Sequence, residues 1–147
     1  AKTIAANTHC LYTNYVDRQI VALDALIFGE EMPLDVWNSK PGITVVTVDE
    51  GDGHTIAYLA FYNADGSTLH IWKTGVHPEH TGKGLFKRML KKVFDYARKN
   101  DKDITIGTDP ARFPVMHSIL ERHTCERFDR QPPKEGYVYY KWKKGSY

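Results

Sequence analysis

The stretch Val76-His77-Pro78-Glu79-His80-Thr81-Gly82-Lys83-Gly84-Leu85-Phe86 is where residue types and spacing permit specific chemistry. It joins a segment of strand character to a basic, amphipathic one. A glycine-rich turn opening a helix presents backbone N–H groups beside the positive end of the helix dipole, which suits an anion such as a pyrophosphate. Glycines let the anion approach the backbone closely, and Lys83 adds a mobile charge at the same place. Two phosphate motifs are excluded by spacing. A P-loop needs Gly, four residues and then Gly-Lys-Ser/Thr; Gly75 is two positions too far from Gly82-Lys83, and Gly84 stands where Ser or Thr should be. A dinucleotide fingerprint needs a third glycine three residues after the second, and Lys87 stands there.

Other residues carry weaker signals. His70 lies in the strand-like run Thr68–Val76, where alternation puts it on one face with Trp72, Thr74 and Val76;. Its ordinary pKa, about 6.5, suits a proton acceptor at neutral pH. Gly75 inside that run marks a bulge or close backbone approach, or else an edge irregularity. Seven histidines raise the question of a metal. His77-x-x-His80 falls in a turn, however, and Cys10 and Cys125 are isolated, so no metal site is expected. No Gly-x-Ser-x-Gly is present, which disfavours a serine hydrolase. Residues 137–144 alternate aromatics with lysines, as a terminal strand does and as single-stranded nucleic-acid platforms also do.

These residues must be positioned by the elements around them. Residues 2–10 read as a first strand, 13–28 as a helix stopped by Gly29, and 33–37 as a short helix started by proline. Residues 43–48, 55–62 and Thr68–Val76 read as a meander of three antiparallel strands, punctuated by Glu50-Gly51-Asp52-Gly53 and Asn63-Ala64-Asp65-Gly66. Residues 82–100 form the most regular helix, with Leu85, Phe86, Met89, Leu90, Val93, Phe94 and Ala97 in one stripe and lysines and arginines opposite. Residues 103–107 make the next strand, which gives a strand–helix–strand crossover and a parallel pair. A helix over 111–123 and an antiparallel pair, 126–130 with 137–142, complete the chain. The fold class is α/β in the α+β sense: a mixed, mostly antiparallel sheet with about four helices.

Composition limits the rest. The 147 residues are the size of one domain, residues 1–147, with 41% hydrophobic and 26% charged residues;. A balance of 20 basic against 18 acidic residues implies neither nucleic acid nor membrane as an obligatory partner;. No apolar run approaches the roughly 20 residues of a membrane span, and the first residues lack a signal-peptide pattern. Two cysteines are too few for a disulfide scaffold;. The expectation is a soluble cytoplasmic domain.

With the P-loop and dinucleotide patterns excluded, the segment resembles the coenzyme A signature of the GNAT superfamily of N-acetyltransferases, Arg/Gln-x-x-Gly-x-Gly/Ala after a strand ending Val-x-Pro. Val76-His77-Pro78 and Thr81-Gly82-Lys83-Gly84-Leu85-Phe86 align with it. Thr81 stands where Arg or Gln is usual, and Phe86 where Gly or Ala is usual. The element order extends the resemblance over nearly the whole chain. It implies a splayed parallel strand pair whose open edge, at Thr74, Gly75 and Val76, holds the pantetheine arm of acetyl-CoA, with the pyrophosphate on Thr81, Gly82, Lys83, Gly84, Leu85 and Phe86. It implies transfer of acetyl to a primary amine of a small molecule or protein, with His70 as general base and Glu30 or Glu31 as substitutes.

The sequence departs from the family in two further places. Thr108-Asp109-Pro110 follows the second parallel strand where Asn is usual, and Leu120 holds the place of the general-acid Tyr. His117 and Ser118 are the substitutes nearby, unless the thiolate takes its proton from water. The loop Phe28-Gly29-Glu30-Glu31-Met32, with Trp37, would overhang the cleft in such a fold, and its acids would attract a cationic amine. A monomer or homodimer is expected. Two other readings remain open: a basic nucleic-acid-binding module, and a coenzyme A-binding protein of this fold without catalysis.

Overall fold

The computed structural model describes residues 8–147. In chain order the elements are β1 (His9–Thr13), α1 (Arg18–Phe28), α2 (Leu34–Asn38), β2 (Thr44–Asp49), β3 (Thr55–Asp65), β4 (Thr68–Val76), α3 (Leu85–Asn100), β5 (Asp103–Thr108), α4 (Pro114–Arg122), β6 (Glu126–Phe128) and β7 (Val138–Trp142). A 3-10 turn, Pro78–His80, separates β4 from α3. The strands form one sheet in the order β1-β2-β3-β4-β5-β7-β6. Every neighbouring pair is antiparallel except β4 with β5. This is the mixed sheet, with one parallel pair and four α-helices, that the element order implies.

Both faces of the sheet are covered, so β2 and the first part of β3 are buried on both sides. Consecutive residues alternate between two cores. Val45, Tyr58 and Ala60 pack with Val16, Ile20, Leu23 and Trp37 of the α1–α2 side. Val46, Leu59, Phe61 and Ile71 pack with Met89, Leu90 and Val93 of α3 and with Leu120 of α4. The α3 stripe read from sequence is the face it buries, while Lys87, Lys91 and Arg98 stay exposed.

Several boundaries differ from the sequence reading. The first strand is His9–Thr13; residues 2–7 of the expected strand lie outside the described residues. Thr13 pairs with Val45 in the sheet rather than starting a helix. Helix α1 begins only at Arg18, because Asp17 adopts extended backbone and its carboxylate accepts from Ile20 N at 3.1 Å;. Tyr15, inside the span read as that helix, is 60% exposed. Strand β3 runs on to Asp65, so its turn is tighter than expected. Helices α3 and α4 start later than expected, at Leu85 and Pro114, and β6 ends at Phe128. The final segment forms the strand β7.

Candidate active site

Strand β4 organises the site, and a bulge decides which side chains it offers. Ile71 pairs with Phe61 and Lys73 with Ala60, which leaves Trp72 inserted between them;. Trp72 and Lys73 therefore both face the α1–α2 side: the Trp72 ring meets Trp37 at 5.3 Å, and Lys73 Nζ lies 4.9 Å from the same ring. Beyond the bulge the alternation is inverted. Gly75 faces α1, and Val76 packs into the α3 core. The expectation that His70, Trp72, Thr74 and Val76 share a face is thus corrected: His70 and Trp72 do, whereas the register returns Thr74 and Val76 to the other face.

The parallel pairing of β4 with β5 runs from Thr68–Asp103 to Ile71–Ile106 and stops there. Past that point β5 is paired to β7 through Gly107 and Thr108, and β4 to β3 through Thr74, Gly75 and Val76. The two strands splay, and the edges they turn toward each other carry no ladder. Gly75 is glycine for packing rather than for the bulge: a Cβ there would lie 2.7 Å from Ile27 Cδ1 of α1.

The splay leads to the loop before α3. Gly82 and Gly84 have φ of +78° and +74°, the left-handed region that favours glycine;. A Cβ on either would meet nothing within 4 Å, so this backbone faces open space. Gly84 caps α3, no side chain caps that end, and the first turn carries no acid. The N–H groups of a 16-residue helix thus point to an accessible surface;. Phe86 turns its ring toward the α3 core. Thr81 Oγ1 donates to Pro78 O at 3.3 Å. Lys83 Nζ is 2.9 Å from His80 Nδ1, and His80 Nε2 is 3.4 Å from Glu50, so Lys83 is tethered to the loop.

The splay opens into a cavity of about 830 Å³. Its wall includes His70, Glu30, Glu31 and Thr74, four of the residues singled out from sequence. His70 Nδ1 is 2.8 Å from Thr105 Oγ1, and its ring packs edge-on against Tyr62 at 5.5 Å. Nε2 has no hydrogen-bond partner among the described residues. Burial, and after it the charges of Arg130 and Lys40, lower the His70 pKa to about 4. The expectation of an untuned histidine near 6.5 is therefore corrected; His70 is neutral at pH 7.

Beside it lies a buried ion pair for which the sequence held no signal. Asp24 is 1% exposed, and its carboxylate accepts from Lys73 Nζ at 2.8 Å and from the Tyr58 hydroxyl. Burial and that carboxylate push the Tyr58 phenol well above its usual range. Lys40 and Arg130 were also missed. Lys40 Nζ lies 4.8 Å from the Trp72 ring, and Arg130 donates to the Tyr139 hydroxyl at 2.9 Å. The alternate spacing of Tyr137, just before β7, and Tyr139 within it was the available signal for these two phenols, both of which line the cavity;.

Other expected residues lie elsewhere. His117 Nε2 faces Arg127 at 3.2 Å, Ser118 is exposed on α4, and neither lines the cavity. Leu120, at the place of the usual Tyr, is fully buried in the α3 core.

A splayed parallel pair, a glycine loop opening a helix and a cavity beyond them form one continuous cleft. Residues 45–107 match the model of a family described as GCN5-related N-acetyl-transferase. The fold is similar to that of a GNAT family acetyltransferase from Elizabethkingia anophelis with acetyl-CoA bound, at 14% identity and TM-score 0.71 over 94% of this chain and 99% of that one. An acyl-CoA N-acyltransferase from Pseudomonas aeruginosa gives 11% identity and TM-score 0.71 over 91% and 98%. A GNAT family acetyltransferase from Staphylococcus aureus gives 13% and 0.70 over 90% and 98%. No curated protein matches the chain in sequence. The fold is the one these acetyltransferases have, and the family model over residues 45–107 agrees with the resemblance read from the coenzyme A signature. Among the described residues no helix is long and apolar enough to cross a membrane.

Proposed function

We propose that the chain transfers an acetyl group from acetyl-CoA to the primary amine of an acceptor held in the cavity. The observation that carries this reading is the continuity of three features: the uncapped N-terminus of α3, the splay beyond Ile71 and Ile106, and the cavity holding His70. They fit acetyl-CoA in order. The backbone N–H groups after Gly84 take the pyrophosphate, since two left-handed glycines with open space around them leave room for it;. Phe86 does not obstruct, its ring being packed into the core. The unladdered edge of β4 from Trp72 to Val76 takes the pantetheine arm as an added strand. Acetyl-CoA supplies an activated acyl thioester.

The remaining chemistry belongs to the protein. The neutral amine nitrogen forms a bond to the thioester carbonyl carbon, the carbon–sulfur bond breaks, and the nitrogen's surplus proton leaves. His70 accepts that proton at Nε2, directly or through water, when its Nδ1–H donates to Thr105;. Its low pKa keeps Nε2 unprotonated throughout the neutral range. The departing thiolate takes a proton from water, for a thiol pKa of about 8.5 needs little help, or from Tyr139, whose oxygen accepts from Arg130.

Leu120 in place of the usual Tyr favours a second reading, a coenzyme A-binding protein without turnover. Release of free thiol from acetyl-CoA with a panel of amines separates the two. Acetyl-CoA binding with amine-dependent thiol release is expected; binding without release supports the second reading. The unbridged thiols Cys10 and Cys125 accord with a cytoplasmic protein;.

A further inference from the structure

We propose that the acceptor is a small amine that also carries an anionic group, a carboxylate or a phosphate, and that Lys40 and Arg130 bind this group. The inference rests on the acetyltransferase reading and names the acceptor class at the same site. It reverses the expectation that Glu30 and Glu31 draw in a cationic amine.

Five cations line the cavity: Lys40, Lys73, Arg112, Arg130 and Lys134. Among the described residues only Lys73 is paired with a carboxylate, the buried Asp24 at 2.8 Å. The other four are held by aromatic rings. Lys40 Nζ lies 5.3 Å from the Tyr62 ring centre and 4.8 Å from that of Trp72. The Arg130 guanidinium lies 5.2 Å from the Tyr139 ring and donates to its hydroxyl. Arg112 lies over Phe113, and Lys134 over Tyr137. A ring positions a cation without neutralising it, so its N–H donors still seek an anion. The acids of the wall, Glu30 and Glu31, are both exposed on the loop after α1, and neither pairs with these cations.

Lys40 and Arg130 come from separate elements, the loop after α2 and the segment after β6, yet they converge on one place. Both act on His70 with enough force to help keep it neutral. An anion held by them would share the cavity with the amine that His70 serves. These cations are not needed for the coenzyme's pyrophosphate, because residues 82–86 lie outside the cavity wall. A polyamine would meet four uncompensated cations against two acids. An amino-acid-like or phosphorylated amine would neutralise them.

The test uses the whole chain saturated with coenzyme A and probes that mimic acetylated products. Coenzyme A is titrated first by calorimetry. N-acetylglycine and N-acetylphenylalanine are then each compared with their methyl esters, and N-acetyl-O-phosphoethanolamine with N-acetylethanolamine. The anionic member of the carboxylate pairs or of the phosphate pair should bind about tenfold tighter or better, and the arm that responds identifies the group. The gap should fall below about threefold in Lys40→Gln and in Arg130→Gln, with coenzyme A affinity unchanged, and should narrow as salt is raised. Equal responses within every pair, absence of binding included, would overturn the proposal, as would a preference that survives both substitutions. If coenzyme A itself fails to bind, the acetyltransferase reading falls and takes this inference with it. Coenzyme A binding without anion discrimination overturns the inference alone.

Discussion

The two ends of the cleft are built on opposite principles. At the α3 end the recognition surface is backbone: left-handed glycines, an uncapped helix terminus, and open space where side chains would stand. At the cavity end it is side chains, each fixed by a ring or a buried partner: Lys40 over Trp72, Lys73 on Asp24, His70 against Thr105 and Tyr62. A backbone site tolerates substitution at most positions as long as its torsions persist, so under the proposed function the departures at Thr81 and Phe86 leave its donors in place. A side-chain site fails residue by residue. Changes at the cavity end should therefore cost more per substitution, unless they alter backbone at the other end.

The largest effect should come from His70→Ala. Turnover should drop by about 10²–10⁴-fold, as for loss of a general base, with acetyl-CoA affinity nearly unchanged in calorimetry. In the parent the acid limb of the turnover–pH profile should lie near pH 4, where burial, Arg130 and Lys40 place this group, and the variant should lack it. Retention of both full turnover and that limb would move the base to Glu30 or Glu31.

Asp24→Ala tests whether the cavity depends on its scaffold. Removing one partner of a buried pair strands Lys73 and leaves the Tyr58 hydroxyl without its acceptor. A loss of about 3–5 kcal/mol in stability is expected, read as a lower urea midpoint with unchanged slope. A change below about 1 kcal/mol would show that the cavity does not rest on this pair.

Stability should also fall in acid for a reason located at His70. The unfolded chain protonates this group near 6.5 and the folded chain only near 4, so the unfolded state binds more protons between those values;. Stability should decline as pH drops from about 6.5 to 4, by up to about 3 kcal/mol from this residue. Urea titrations at a series of pH values should show that decline flattened in His70→Asn.

The smallest effect is predicted for Lys83→Ala. Lys83 is tethered to His80 at 2.9 Å and supplements a site whose donors are backbone. Acetyl-CoA affinity should fall about threefold at low salt, in line with roughly 0.3–1 kcal/mol for an exposed charge at a helix terminus. A loss above about a hundredfold would show that the loop binds through its side chain.

The same contrast explains what was legible in the sequence. The loop was readable because glycine spacing after Val76-His77-Pro78 reports backbone torsions directly, and the parallel pair because a crossover helix leaves few alternatives. The cavity was only partly readable. His70, Glu30 and Glu31 stood out by residue type, yet the bulge at Trp72 inverts the alternation that would have oriented Thr74 and Val76, and no local pattern announces it. The Asp24–Lys73 pair joins residues 49 positions apart in sequence. Lys40 and Arg130 read as ordinary loop cations until the fold brings them to one wall. His117 and Ser118 fitted the expected helix but occupy other parts of its surface. Contacts that depend on tertiary register leave no short-range trace.

Gly84→Asp probes acetyl-CoA binding at the backbone site before α3. At φ +74° aspartate is strained, and its carboxylate would stand at the helix terminus where the pyrophosphate is to lie;. Calorimetric titration of acetyl-CoA into the parent and this variant, with matched circular dichroism spectra as the check on folding, gives the answer. Saturable binding to the parent is expected, with a loss of about a hundredfold or more in the folded variant. Equal affinity in the two proteins would contradict it and place the coenzyme elsewhere.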